Sequence, residues 1–414
     1  MSRRARGGLL AVVLAAGWLV VAWLLWRTTT VPSSLELPHI DTRSLFTAGE
    51  LRRADSYDHG AALIAVYGIL IELVVLGLYA WKGPRFARES AAGPVGTGLL
   101  LGMLGFGLLW VAEVPRTVLE LWWDRRHHVS HGSYWHEILG GWLLLGFEFV
   151  LLCVALAIVM GFARLVGRWW WLLAVPVLVG LIALDVFVAP WLQTTHPVLD
   201  PALKRSIAQL EQREHTGHVP VRIQIVSGQT SFPNAETEGI GPSKRVVIWD
   251  TLLNGPFSAG EVRVVLAHEF GHAKRNHVLK SIAWYALFSF LFAFIVSRVV
   301  LRRGGMGEPA AVPLAIFTFV VLQLLALPAQ NLVTRHMESE ADWIALQTTR
   351  DPADATHLFE SFVPTTLSDP NPPTWEYLLF ENHPTIDQRI AMVRAWQSLQ
   401  ATSASRSPSA DQEP

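Results

Sequence analysis

The chain has 414 residues, of which 51% are hydrophobic and 16% charged, too little polar surface to coat a soluble body of that size. Thirty-three Lys and Arg against thirty-four Asp and Glu give a net charge of -1, which excludes a basic field for nucleic-acid phosphates. A lone cysteine, Cys153, sits in an apolar run and excludes both an intrachain disulfide and a cysteine-rich metal cluster.

A bilayer core of about 30 Å takes about 20 apolar residues in a helix. In chain order, seven segments answer to that length: 8–26, 60–81, 96–113, 138–163, 169–192, 281–301 and 310–330. Arg3, Arg4 and Arg6 precede the first and imitate a secretory signal, but its apolar run is long and lacks a small-x-small cleavage site, so it is expected to be a retained anchor. Trp122, Trp123 and Trp169 to Trp171 fall at expected span ends, where indoles sit among headgroups. Glu72 and Asp185 lie mid-span, and Glu113 and Glu148 near span ends; each must face protein, a polar group or trapped water. The chain reads as a mostly α, polytopic membrane protein.

Two polar regions remain, 193–280 and 331 onward. The first opens with a helical pattern (Leu203, Ile207, Leu210), continues with strand-like pieces at 221–226 and 245–249, and ends in an amphipathic stretch, 258–276, whose Ser258 and Glu261 are helix-start chemistry. The expected divisions are 1–192 with five spans, 193–280 as a polar insert, 281–330 with two more spans, 331–400 as the second polar part, and a Ser/Ala/Pro/acid-rich tail at 401–414 that is expected to be disordered.

The sharpest signal is His268-Glu269-Phe270-Gly271-His272. On a helix, residues four apart share a face, so His268 and His272 can present two imidazole nitrogens to one metal ion with Glu269 beside the open position as a base. A catalytic zinc needs a third protein ligand, and Glu338 and Glu340 are the candidates in the second polar region. Glu338 shares a helical face with Asp342; Glu340 points elsewhere and is expected to face solvent. His127, His128, His131 and His136 lack an organising carboxylate or helical register and are expected to form an ordinary polar loop.

The string Asn331-Leu-Val-Thr-Arg335-His-Met-Glu338-Ser-Glu340-Ala-Asp342 resembles the N-x-x-[ST]-R-x-x-E-x-x-A-D segment of the integral-membrane zinc peptidases that include the type I CAAX prenyl endopeptidases and, more distantly, the heat-shock membrane proteases. The resemblance implies Glu338 as third zinc ligand and Asp342 as the group that orients a ligand histidine, with Arg335 supporting the same cluster. Asn234-Ala235 followed by 244–253 is similar to the segment in which an Asn-Ala edge strand pairs with the substrate backbone. His383-Pro384-Thr385 with Gln388-Arg389-Ile390 resembles the family's H-P-[ST]…R-I box, which implies His383 near the substrate carbonyl and Arg389 near the peptide's C-terminal end. The stretch 114–123 is similar to the family's loop after its third span, although the family's ending is replaced by Asp124 onward. His277 is also present in the family and is expected to be structural. The fold implied is about seven transmembrane helices enclosing a chamber, with a small α+β zincin-like catalytic domain.

The expected activity is peptide-bond hydrolysis with one zinc ion, a peptide substrate, possibly prenylated, and the lipid bilayer as surroundings. Membrane-protein quality control is the alternative proteolytic role, and a receptor or scaffold with a vestigial metal site is the non-enzymatic one. Placing Arg3, Arg4 and Arg6 inside puts the zinc insert outside by charge, whereas the eukaryotic prenyl endopeptidases face the cytosol; the side stays open.

Overall fold

The helix ends are written in side chains. Thr47 and Glu50 cap each other's backbone N–H groups at the start of one long helix, and Ser258 and Glu261 repeat the arrangement at another. The computed structural model describes residues 3–88 and 92–406. The elements are α1 (Arg3–Trp26), α2 (Thr42–Leu45), α3 (Ala48–Lys82), α4 (Gly93–Arg126), α5 (Tyr134–Val166), α6 (Trp170–Leu192), β1 (His196–Pro197), α7 (Pro201–Glu214), β2 (Val221–Gln224), β3 (Ala235–Glu238), β4 (Arg245–Trp249), α8 (Asp250–Asn254), α9 (Ala259–Arg275), α10 (His277–Val299), α11 (Val312–Thr349), α12 (Pro352–Thr366), α13 (Thr374–Leu379) and α14 (Ile386–Arg406).

The expected spans fall on α1, α3, α4, α5, α6, α10 and α11. Among the described residues five stretches are long and apolar enough to cross a membrane: Ala48–Ala87, Gly93–Arg126, Phe149–Leu192, His277–Arg303 and Pro309–Thr349. The difference from seven has two sources. Within α1, which runs Arg3–Trp26, the described side chains give the stretch Ala15–Trp26, and the fourth and fifth segments share Phe149–Leu192, where α5 and α6 meet at a 3-10 turn over Gly167–Trp169. The Gly-rich third segment is explained by packing. A Cβ at Gly98 or Gly102 of α4 would stand 2.2 Å from Met160 Sδ or Leu156 Cδ2 of α5, so the glycines let these helices approach closely.

Two further expectations are corrected. Residues 114–123 form no loop; α4 runs through Pro115 to Arg126. The tail begins as helix, because α14 extends to Arg406, and 407–414 lie outside the described residues. The side chains of Arg3, Arg4, Arg6, His136 and Glu148 also lie outside them.

The polar insert forms a four-stranded sheet of order β1-β2-β4-β3. β2 is parallel to β4, with Val221 opposite Val246, and β3 is antiparallel to β4, with Ala235 opposite Ile248 and Thr237 opposite Val246. β2 stops at Gln224, short of the expected 226, because the N–H groups of Val226 and Ser227 turn to the Asp250 carboxylate at 2.8 and 3.1 Å. One buried cluster unites both polar regions, through Leu210 of α7, Ile248 of β4, Leu266 and Phe270 of α9, Leu346 of α11 and Ile390 of α14. A second, with Met160, Trp171, Val300 and Val312, binds the membrane helices together.

Glu214, at the end of α7, is 1% exposed, and neither carboxylate oxygen has a well-angled donor among the described residues. Burial pushes its carboxyl from 4.5 up to about 8, against the weaker opposing effects of the nearby Thr348 side chain and the charge of Lys274. The folded state therefore holds the proton more tightly than the unfolded chain. That stabilisation is complete below pH 4.5 and is lost as pH rises toward about 8. We predict that Glu214→Gln, which cannot ionise, melts above wild type at pH 8 by a margin of roughly 1–3 kcal/mol that disappears near pH 4.5. Thermal melts in detergent at the two pH values check this; an equal margin at both would contradict it.

Candidate metal centre

α9 carries His268 and His272 one turn apart, and α11 crosses it at the residue between them. Gly271 faces Ala341 there: a Cβ at Gly271 would meet Ala341 Cα and Ile344 at 3.4 Å. The absence of a side chain thus brings the ligand faces of the two helices within reach. His268 Nε2 lies 3.0 Å from His272 Nε2 and 3.2 Å from Glu338 Oε2, and His272 Nε2 lies 3.5 Å from Glu338 Oε1. The three side chains offer ligand atoms that all fall within 4.8 Å of one another.

The arrangement fits a divalent cation. Two imidazole nitrogens turned toward each other and toward a carboxylate bring lone pairs together, which is unfavourable unless positive charge stands between them. Glu338 Oε2 is buried and has no well-angled donor among the described residues. Two imidazoles and one carboxylate are also the donor set of catalytic zinc sites that keep a position open. Burial opposes a charge on His268, yet its hydrogen bonds to Asp342 and Glu338, and their negative charge, outweigh that and raise it to about 10. The charges around His268 thus favour a cation there, whether a proton or a metal.

Behind the ligands the side chains are fixed. Asp342 Oδ1 accepts from His268 Nδ1 at 2.9 Å, and both Asp342 oxygens accept from Arg389, at 2.9 and 2.6 Å. The carboxylate thereby holds the His268 proton on Nδ1 and leaves Nε2 free as a donor atom. The Arg389 guanidinium lies over the Phe359 ring, 4.3 Å from its centre. The structure thus places Arg389 on Asp342, behind the candidate ligands. Arg335 is buried, donates to the carbonyls of Tyr377 and Glu381, and so holds the segment that leads to His383. His383 is half-exposed at the mouth, with Nε2 3.1 Å from Glu338 Oε2.

Glu269 is 6% exposed and lies beside the sheet. Thr237 Oγ1, on β3, reaches its carbonyl at 2.7 Å and its Oε2 at 2.9 Å. Sequence reasoning missed Thr237, although the strand's alternation, which sets Ala235 and Thr237 on one face, was a signal for it. Asn234 precedes β3 and accepts the Trp249 N–H at 2.9 Å, and Ala235 opens the strand. β3 is an edge strand, paired on one side with β4 and with no other strand among the described residues.

Glu340 corrects an expectation. It is 1% exposed, and its carboxylate accepts from the Thr30 backbone at 2.8 Å and from His277 at 2.9 Å. Helical spacing alone pointed it at solvent, but the chain following α1 and the start of α10 cover that face. Of the four histidines expected in one polar loop, His127, His128 and His131 lie between α4 and α5, whereas His136 stands in α5. His127 packs on Trp123 and Tyr57, and the loop backbone docks through His131 N to Gln229 O at 2.8 Å.

Residues 194–397 match peptidase family M48. Over 92% of this chain and 94% of the relative, the sequence is 29% identical to a Bacillus subtilis (strain 168) protein described as the uncharacterized metalloprotease YhfN. It is 34% identical to CAAX prenyl protease 1 of Saccharomyces cerevisiae over 31% of this chain and 29% of that protein, so less than a third of the yeast protein's length is matched. A protease HtpX homolog of Acidiphilium cryptum is 26% identical over 50% of this chain and 82% of its own. The fold is similar to that of the crystal structure of S. mikatae Ste24p, with a TM-score of 0.71, 18% identity, and coverage of 92% of this chain and 96% of that one.

If Asp342 fixes the His268 tautomer, Asp342→Asn will weaken divalent-metal affinity by about 10- to 100-fold while leaving the helices in place. Competition titration with a chromogenic chelator reads the affinity, and unaltered binding would contradict the role.

Proposed function

We propose, from the match of residues 194–397 to peptidase family M48, that this multi-pass membrane protein is a zinc-dependent endopeptidase with His268, His272 and Glu338 as the metal ligands. The observation that carries the reading is the convergence of these three side chains from two helices that are far apart in sequence, with Glu269 beside them. Zinc held there supplies Lewis acidity that polarises a peptide carbonyl and makes water nucleophilic near neutral pH.

The chain's own residues do the rest. An extended peptide adds to the open edge of β3 along Asn234 and Ala235, gaining main-chain hydrogen bonds that set its scissile carbonyl beside α9. Glu269, oriented by Thr237, takes a proton from the attacking water and returns it to the departing amine. His383 leaves Glu338 and donates Nε2–H to the developing oxyanion, a use consistent with its half-exposed place at the mouth. Arg389 acts on this chemistry through Asp342 and His268.

The substrate class follows the resemblance: a C-terminal peptide carrying a prenyl group, whose lipid enters among the membrane helices of a seven-helix chamber while the peptide lies on β3. The relatives' names support this in part, since one of them, matched over 31% of this chain, is CAAX prenyl protease 1 of Saccharomyces cerevisiae. Membrane-protein quality control is the second reading, favoured by the match to most of the length of an HtpX homolog.

Glu269→Gln should retain bound zinc and the wild-type melting profile yet lose about 10²- to 10⁴-fold in turnover. Peptide cleavage by the variant at the wild-type rate would remove Glu269 as the base. Digestion of a farnesylated C-terminal peptide beside its unprenylated twin and an unfolded membrane protein separates the two substrate classes. The prenyl reading expects the farnesylated peptide to be cut fastest, and preference for the unfolded protein would contradict it.

A further inference from the structure

A carboxylate holds the second nitrogen of His268; among the described residues none is in contact with the second nitrogen of His272. Its Nδ1 instead lies 3.0 Å from Nδ1 of His277, with the ring centres 4.8 Å apart, edge to face. Two ring nitrogens form a hydrogen bond only when one donates and the other accepts, so the direction of this bond decides which nitrogen of His272 keeps its lone pair. The answer is set one step further back. His277 Nε2 lies 2.9 Å from Glu340 Oε2, and an ionised carboxylate only accepts. His277 therefore carries a proton on Nε2. Arg275 Nε at 2.8 Å and Lys280 Nζ at 3.3 Å already face the same buried carboxylate with two positive charges. A neutral His272 that gives its Nε2 lone pair to a cation carries its one ring proton on Nδ1, so it is the donor of the pair and His277 Nδ1 accepts.

We infer that Glu340 and His277 are positioning residues that hold His272 with its proton on Nδ1 and its Nε2 lone pair turned toward His268 and Glu338. Glu340 is itself immobilised from the N-terminal side. The Thr30 N–H donates to Oε1 at 2.8 Å, and the Thr28 carbonyl accepts from Arg275 and Lys280 at 2.8 and 3.2 Å. Trp26 stacks on His336 one turn before Glu340, with ring centres 4.0 Å apart. The chain leaving α1 thus forms the back wall of the relay. α11 orients both ligand histidines, His268 directly through Asp342 and His272 through Glu340 and His277.

The inference rests on the ligand set proposed above, and the test separates the two. Full-length protein in detergent is stripped of metal and titrated with Zn²⁺ against a chelator and with Co²⁺, reading the visible spectrum, while the melting temperature of the metal-free form is followed in parallel. His277→Phe removes the acceptor, and we expect zinc affinity to fall about 10- to 100-fold with a changed cobalt spectrum and little change in the metal-free melt. His277→Asn puts a side-chain oxygen where Nδ1 was, and affinity should return to within a few-fold of wild type. Wild-type affinity in His277→Phe, or loss in His277→Asn as large as in His277→Phe, would overturn the relay. Should His277→Phe fail to fold, His277→Asn alone decides, a tenfold loss counting against it and near-wild-type affinity supporting it. Wild-type protein that takes up no stoichiometric metal would overturn the ligand set itself.

Discussion

The close approach of α9 to α11 at Gly271 and Ala341 is the contact on which the centre depends. Neither helix alone holds more than part of the donor set. Ala341 is fully buried, and the flanking Phe270, Leu266 and Leu346 belong to the cluster that joins the sheet, α7 and α14 to the same crossing. Hydrophobic packing between two polar segments separated by two membrane helices thus sets the spacing of His268, His272 and Glu338. A bulky residue at Gly271 would push α11 away and open the ligand set without touching a ligand.

Three acids two residues apart on α11 face three different environments. Glu338 looks into the imidazole pair, Asp342 is clamped between His268 and Arg389, and Glu340 looks the other way, into Arg275, His277, Lys280 and the Thr30 N–H. Burying carboxylates in this way is costly unless each is paired and hydrogen-bonded. The pairing of Asp342 and Glu340 is complete within the protein. Glu338 is the exception, with a buried oxygen lacking a well-angled donor, and its deficit is the electrostatic argument for a cation.

Much of this was legible in the sequence because it is local. The α9 boundaries followed from Ser258 and Glu261 at one end and Asn276 at the other, where the backbone is left-handed as a helix terminator allows. The His268–His272 spacing and the apolar stretches needed only a helical period. What escaped depended on packing. Glu340 looked exposed on a helical wheel, since a wheel does not show the chain after α1 folding back over it. The bond between Arg389 and Asp342 joins residues 47 positions apart, which no local pattern shows. Thr237 needed the register of β3 on β4 to set it against Glu269, and β1, two residues long, exists only because β2 is there to pair with it.

The account stands or falls on the atoms around one metal ion. X-ray absorption at the zinc edge of purified full-length protein measures them directly. The predicted spectrum shows one zinc per chain with two imidazole nitrogens and carboxylate or water oxygens at about 2.0–2.2 Å. Substoichiometric zinc, or an all-oxygen shell without imidazole scattering, would contradict the assignment of His268, His272 and Glu338.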